Sequence, residues 1–229
     1  MNVNKLNNEI NKISETLISA RMAIDYNFSL LDSKQSTIAV KTKKKLFEIV
    51  TINNIIDRYK NFISNKFYNC LLFDGSLLQF YYRYSNGKII NHRLCYIPCP
   101  INIYSCELEE FSIIGIIEKV QKIPQELSNR SKEHTILRFD YDIENQSVIH
   151  PASHLTFLSS NCRIPVCSPL SPLMFIQFIL NNFYEENFLV ENNVNIRMID
   201  NLKIKKSTSF EIDKCLLEEH EKIFHINIV

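Results

Sequence analysis

Glycine is scarce in this chain: its 229 residues include only 3, at Gly75, Gly87 and Gly115. Neither G-x-G-x-x-G nor G-x-x-x-x-G-K-[ST] can be built from them, which excludes a Rossmann or P-loop cradle for phosphates. G-x-S-x-G is missing as well, and with it the nucleophile elbow of an α/β-hydrolase. Long apolar runs are also missing. The longest, Leu173 to Leu180, is interrupted by Gln177 and falls well short of the ~20 residues that span a bilayer. No membrane partner is expected. Charge of one sign is absent too, since 26 Lys and Arg face 25 Asp and Glu for a net charge of +1. That balance excludes a globally basic, tail-driven nucleic-acid binder and leaves room for a local basic site.

Two further absences set the compartment. The opening residues Met1 to Lys5 carry one charge with no apolar stretch behind it, unlike a secretory signal. The 7 cysteines are odd in number and contain no C-x-x-C pair. Cys95, Cys99 and Cys106 beside His92, and Cys162 with Cys167, have irregular gaps that do not match the tight spacing of zinc sites. They are expected to be free thiols filling strand and loop positions in a reducing cytoplasm. No metal or other cofactor is implied.

What is present is an ordinary globular chain, 45% hydrophobic, long enough for one large domain or a smaller one with a helical arm. Apolar residues near a 3.6 repeat predict helices over 5–26 and 46–62. Residues 27–40 read as a connector, and Lys41 to Lys45 form a short basic cluster. From Tyr68 the period becomes that of a strand. Asp74-Gly75 and Ser85-Asn86-Gly87 punctuate β-rich runs, the signature of a three-strand antiparallel meander. Alternation puts Gln79, Tyr81 and Arg83 on one face of it, with Leu78, Phe80, Tyr82 and Tyr84 on the other.

Farther on, a helix interrupted near Gly115 is expected over 107–122. Strands are expected over 135–141 and 153–158. Ser171-Pro172 marks a helix start. After residue 185 come a strand or two around 196–205, a helix near 211–222 and a short terminal strand. The expected fold is α+β, an antiparallel sheet meander covered by helices, with an N-terminal helical arm. Its expected parts are an arm over 1–66, a core over 67–184 and a C-terminal α/β extension over 185–229.

One constellation could carry chemistry. In Arg138-Phe139-Asp140-Tyr141-Asp142, alternation directs Arg138, Asp140 and Asp142 to one face. In the next strand His154 and Thr156 share a face. Paired as a hairpin, the two strands gather arginine, aspartate and histidine, with His150 just upstream. Arg83, His92 and Arg163 are candidates to bind substrate at the same face. A histidine beside an aspartate can move protons near neutral pH, and an arginine can grip a phosphate. An RNA 2′-hydroxyl attacking its own phosphate needs neither metal nor protein nucleophile. A divalent metal on Asp140, Asp142, His150 and His154 is a competing reading, as is a solvated cross-strand ion pair with no function. Tyr81, Tyr82 and Tyr84 could stack bases or simply pack.

Several spans carry a resemblance: Leu72 to Ser76 with Gln79-Phe80, His92-Arg93-Leu94, Arg138 to Asp142, His150 to Leu155, Cys162 to Pro165, and Phe175 to Tyr184. They resemble the bacterial family named domain of unknown function twenty-two ninety, which implies no established activity. A looser similarity is to TumE-like toxins of toxin–antitoxin pairs, in which Arg138, Asp140, His150 and His154 match the arginine–aspartate strand and histidine stretch. That similarity implies a metal-independent ribonuclease or related phosphodiester-cleaving toxin, in phage defence, with RNA as substrate. In this reading Arg138 binds phosphate, His154 is the acid or base, Asp140 orients it and His150 is the second proton-transfer group. The alternatives are a non-catalytic component bound to a protein partner, an antitoxin or defence subunit, through its amphipathic arms, and a metal-dependent hydrolase.

Overall fold

The computed structural model describes residues 2–42, 46–132, 135–147, 150–157 and 162–204. The chain begins with helix α1, Val3–Ser19, started by the Asn2 side chain accepting from the Lys5 N–H. Leu6, Ile10, Ile13 and Leu17 recur at helical spacing and are all buried. Arg21, in the left-handed region at φ 58°, turns the chain into strand β1, Ala23–Tyr26. A hairpin follows, β2 Ser29–Asp32 and β3 Thr37–Val40. Helices α2 Leu46–Val50 and α3 Ile55–Ser64 lead to the meander. Its strands are β4 Cys70–Leu72, β5 Leu77–Ser85 and β6 Lys88–Ile97.

Two turns fix the meander's register. Gly75 has φ +82°, and a Cβ there would lie 2.9 Å from the Cys99 Cβ, so only glycine fits. Asn86 and Gly87 have φ of 49° and 71°, the paired positive values of a tight hairpin turn.

After a 3-10 turn at Ser105–Glu109 come α4 Ile113–Gln121 and α5 Pro124–Arg130. Strands β7 Leu137–Asp142, β8 Ser153–Thr156 and β9 Arg163–Pro165 complete the sheet. The chain then runs through α6 Pro172–Phe183, α7 Glu186–Glu191 and α8 Ile196–Ile204. Among the described residues the sheet has 9 strands in the order β1-β4-β5-β6-β7-β8-β9, with β3 also on β5 and β2 on β3. Every pairing is antiparallel. The α+β architecture with a helix ahead of the sheet is the one expected.

The two faces differ. Directly opposed residues share a face, so Leu78, Tyr96 and Leu137 form one apolar row and Phe80, Leu94, Phe139 and Leu155 the next. Helices α1, α6 and α8 cover this face, and their apolar residues join the same core. Phe175 of α6 meets Phe80 and Phe139 edge to face at 5.6 and 6.1 Å. The opposite face carries a second core only near Leu71, Leu77, Cys95 and Ile97, under α3 and α4. The rest of that face is polar.

Five local expectations are corrected. The first helix ends at Ser19, not 26, because the left-handed Arg21 reverses the chain. The supposed connector over 27–40 holds two short strands, whose turn is closed by the Asp32 carboxylate accepting from the Lys34 and Gln35 N–H groups. The break in 107–122 falls before Gly115. Ser112 caps a new helix, and the Gly115 N–H donates to its hydroxyl. Residues 196–204 are helical, not extended, because Asn195 caps Met198 and the pair Ile199 and Leu202 buries one helical face. The expected helix 46–62 is two helices, with Asn54 capping the second. The basic cluster beyond Thr42 and the elements expected after Ile204 lie outside the described residues.

Phe175 is 0% exposed and removing its ring leaves a cavity between helix and sheet. Phe175→Ala is expected to cost about 3–5 kcal/mol, read as a lower urea midpoint with an unchanged slope.

Candidate functional site

The polar face is built by register. Across β6, β7 and β8, Arg93 opposes Asp140, which opposes His154. One row along, Cys95 opposes Arg138, then Thr156, then Arg163 of β9. Tyr81 of β5 opposes Arg93 and extends the first row. Two transverse rows thus place three arginines, one aspartate, one histidine and one threonine together.

Asp140 is the centre. Its Oδ1 accepts from Arg93 Nε at 3.2 Å. Its Oδ2 accepts from Arg138 Nε at 2.5 Å and from the Thr156 hydroxyl at 3.2 Å. Burial pushes this carboxyl up, but Arg138 and Arg93 outweigh it and hold it below the usual aspartate value. Asp140 is therefore ionised at neutral pH.

His154 is 2% exposed. Its Nδ1 lies 2.8 Å from the Pro151 carbonyl, and since a carbonyl only accepts, Nδ1 carries the proton. The bare Nε2 faces Asp140 Oδ2 at 3.7 Å, beyond hydrogen-bond range. Burial lowers its pKa, with Pro151 and Asp140 opposing, so the ring is neutral at pH 7. His150 stacks edge-on against it, ring centroids 4.7 Å apart. His150 Nδ1 and Arg163 Nε are both buried without a hydrogen-bond partner. Both side chains lie close enough to His154 to disfavour its charged form.

The four expected catalytic residues, Arg138, Asp140, His150 and His154, are thus brought together, with Arg163 at the end of the neighbouring row. Arg83 is on the same face but farther along, opposite Asn91. It is tied to Glu144 at 2.5 Å. His92 is not part of the cluster. It opposes Tyr82 and Tyr141 on the other face and sits between their rings at 5.5 and 5.7 Å. Its Nε2 accepts the Leu170 N–H at 3.0 Å, a structural role that joins the sheet to the start of α6.

Arg93, next in sequence, is the residue that sequence reasoning missed. The signal was available: Ile90, Leu94 and Tyr96 are the apolar series of β6, so His92 shares their face and Arg93 the opposite one. Asp142 is drawn away as well, accepting from the Asn145 amide and the Glu144 N–H in the following turn. Among the described residues, no group of three or more His, Cys, Asp and Glu is placed to hold a metal ion. The described cysteines are free thiols. No described helix is long and apolar enough to cross a membrane.

The sequence pattern of the family described as "Uncharacterized conserved protein (DUF2290)" matches residues 22–228. The chain belongs to this family. The match takes in every residue of the cluster and every strand of the sheet. No curated protein and no solved structure matches the chain.

Burial of His92 makes the fold acid-sensitive. Burial pushes its pKa from 6.5 down to about 4. Between those values the unfolded chain holds a proton that the folded one does not, so this stability is complete above 6.5 and drains as pH falls toward 4. The loss expected from His92 is about 3 kcal/mol. Asp140, with a lowered pKa, adds a loss of the same sign in more acid solution. Urea unfolding at pH 7 and pH 4.5 should show the drop, and His92→Gln, which keeps an acceptor for Leu170, should flatten it.

Proposed function

We propose that the polar face binds the phosphodiester of single-stranded RNA and cleaves it without a metal. The observation that carries this reading is the charge of the cluster: the guanidiniums of Arg93 and Arg138 both hold the carboxylate of Asp140, and Arg163 stands in the adjoining row, opposite Thr156. Two positive charges are left over before either histidine is counted. Arg93 and Arg138 are the accessible pair, with side chains 42% and 31% exposed. Each spends its Nε–H on Asp140, which leaves the terminal nitrogens of both forks for phosphate oxygens. Asp140 holds both guanidiniums in place through those bonds.

His150 is the half-buried imidazole at the edge of this anion site. In the proposed reaction it takes the proton of the 2′-hydroxyl as that oxygen bonds to phosphorus. The bond from phosphorus to the 5′-oxygen breaks, and the same proton is handed to the departing oxygen. A 2′,3′-cyclic phosphate and a 5′-hydroxyl result, with no water, metal or co-reactant consumed. Arg93 and Arg138 stabilise the charge that builds on the phosphoryl oxygens. His154, buried and with its proton committed to Pro151, is a positioning residue that supports the loop carrying His150. This role is smaller than the acid–base role expected from its neighbours in sequence.

The non-catalytic reading drew on apolar arm surfaces left over for a partner. Of these arms, the apolar face of α1 is buried against the chain's own sheet, with Leu6, Ile10 and Leu17 all 0% exposed, and the part of the second arm beyond Ile204 lies outside the described residues. The metal-dependent reading needs Asp142 at the cluster, and Asp142 is engaged in its own turn.

Purified protein incubated with unstructured RNA in excess chelator is expected to give cyclic-phosphate ends. His150→Ala should slow cleavage by about 100-fold, with RNA binding retained. Arg138→Ala should weaken binding and cleavage together. RNA left intact by the wild-type protein across pH 5–8, with chelator and with added divalent ions, would overturn the enzymatic reading.

A further inference from the structure

We infer that the depression between the β2–β3 hairpin and Tyr81 is a nucleobase subsite, with Tyr81 as its stacking platform. The inference rests on the phosphodiester reading above for the neighbouring anion site, and it adds which part of the polymer lies beside that site.

The depression has a volume of about 650 Å³, within the ~300–1,000 Å³ range of small-ligand sites. Register places it on the polar face of the sheet. Thr37 opposes Arg83 and Leu30 opposes Ala39. Alternation then puts Leu30, Thr37, Ala39, Tyr81 and Arg83 on one side. Leu30, 53% exposed, Ala39 and Tyr81 are the apolar part of its lining. Lys34 and Lys41 also line it. The only carboxylate there, Asp32, already accepts two backbone N–H groups of its turn.

Continuity names the occupant. Tyr81 lines the depression and is also the direct cross-strand neighbour of Arg93. A base over Tyr81 and a phosphate over Arg93 are separated by one strand spacing, about 5 Å, which one nucleotide spans. Going the other way along the row come Asp140 and His154. A single strand laid across the sheet would meet, in turn, an apolar shelf with an aromatic ring, two arginines and an imidazole. Aromatic rings accept any base by stacking, so the subsite discriminates base from no base more than one base from another. A paired duplex cannot offer an unstacked base to a shelf lying flat on a sheet. The substrate class is therefore single-stranded RNA, and its bases contribute to binding.

The test uses two fluorescent six-nucleotide probes whose 2′-hydroxyls are methylated so that they cannot be cleaved, oligouridylate and the same ribose-phosphate backbone without bases, read by polarisation with the full chain. Wild type is expected to bind the RNA more tightly than the abasic probe. Tyr81→Ala should weaken RNA binding by about tenfold and leave the abasic probe unchanged, while Tyr81→Phe should behave as wild type. Ala39→Phe, which fills the shelf at a partly exposed strand position, should also remove only the base-dependent part. Equal binding of both probes by wild type would overturn the subsite, as would Tyr81→Ala weakening both probes alike. Arg138→Ala separates the two readings. If it weakens both probes while Tyr81→Ala affects neither, the phosphate site stands and the subsite fails. If Tyr81→Ala removes the base-dependent part and Arg138→Ala changes nothing, the subsite stands and the phosphate reading fails.

Discussion

An ionised carboxylate is costly to bury, and Asp140 is 8% exposed. It persists because two guanidiniums and a hydroxyl surround it with three hydrogen bonds. Those donors come from three strands, so the register of β6, β7 and β8 and the charge of Asp140 depend on each other. A slip of one residue would turn Asp140 into the apolar core and bring Tyr141 to the open face. The arginines in turn are held over the sheet by Asp140. With the carboxylate gone, they would repel one another. The whole polar face thus hangs on one anion at the centre of an antiparallel triplet.

The other face supplies the rigidity that this arrangement needs. Rows of Phe80, Leu94, Phe139 and Leu155 fit beneath α6, and α1 closes the same core. His92 belongs to this layer despite its polarity. One nitrogen accepts the Leu170 N–H, so the entry to α6 is fixed to β6. Ser171 then caps the helix, and its partner is the Met174 N–H. The order of events along 170–175 therefore sets where Phe175 lands against Phe80 and Phe139. Helix placement and strand register are two sides of the same packing problem, solved by Leu170 at the seam.

Much of this was legible in the amino-acid order, and the limits have physical causes. Strands β5 and β6 were visible because their long alternating runs are bounded by Asp-Gly and Asn-Gly turns, and β7 because alternation over six residues cannot be mistaken for a helix. The short strands β1 to β3 have four residues each, too few for a period to emerge. Their partners are distant in sequence, as Tyr26 pairing with Cys70 illustrates. The segment 196–204 is rich in isoleucine, which favours strands, yet Asn195 caps it and burial of Ile199 and Leu202 settles it as helix. At the site, Arg138, Asp140 and His154 could be grouped because β7 and β8 are neighbours in the chain. Arg93 could not be joined to them from its own strand alone. Its place depends on the pairing of β6 with β7 across forty-odd residues, which no local pattern specifies.

Stability alone does not account for the open half of the sheet. The second core ends at Cys95 and Ile97, although α3 and α4 already lie over that face and a few more apolar residues would extend it. Replacing a buried ion cluster with packed apolar side chains is commonly neutral or stabilising. Here the positions facing outward beyond Cys95 are Arg93, Arg138, Asp140 and Arg163 instead. Arg163 Nε and His150 Nδ1 are left without partners, each at a cost of about 1–3 kcal/mol. Unpaired donors next to surplus positive charge lower the energy of the folded chain only when an anion with several acceptor oxygens is present. The phosphodiester proposed as ligand has the oxygens and the charge to recover the stability forgone in the free protein.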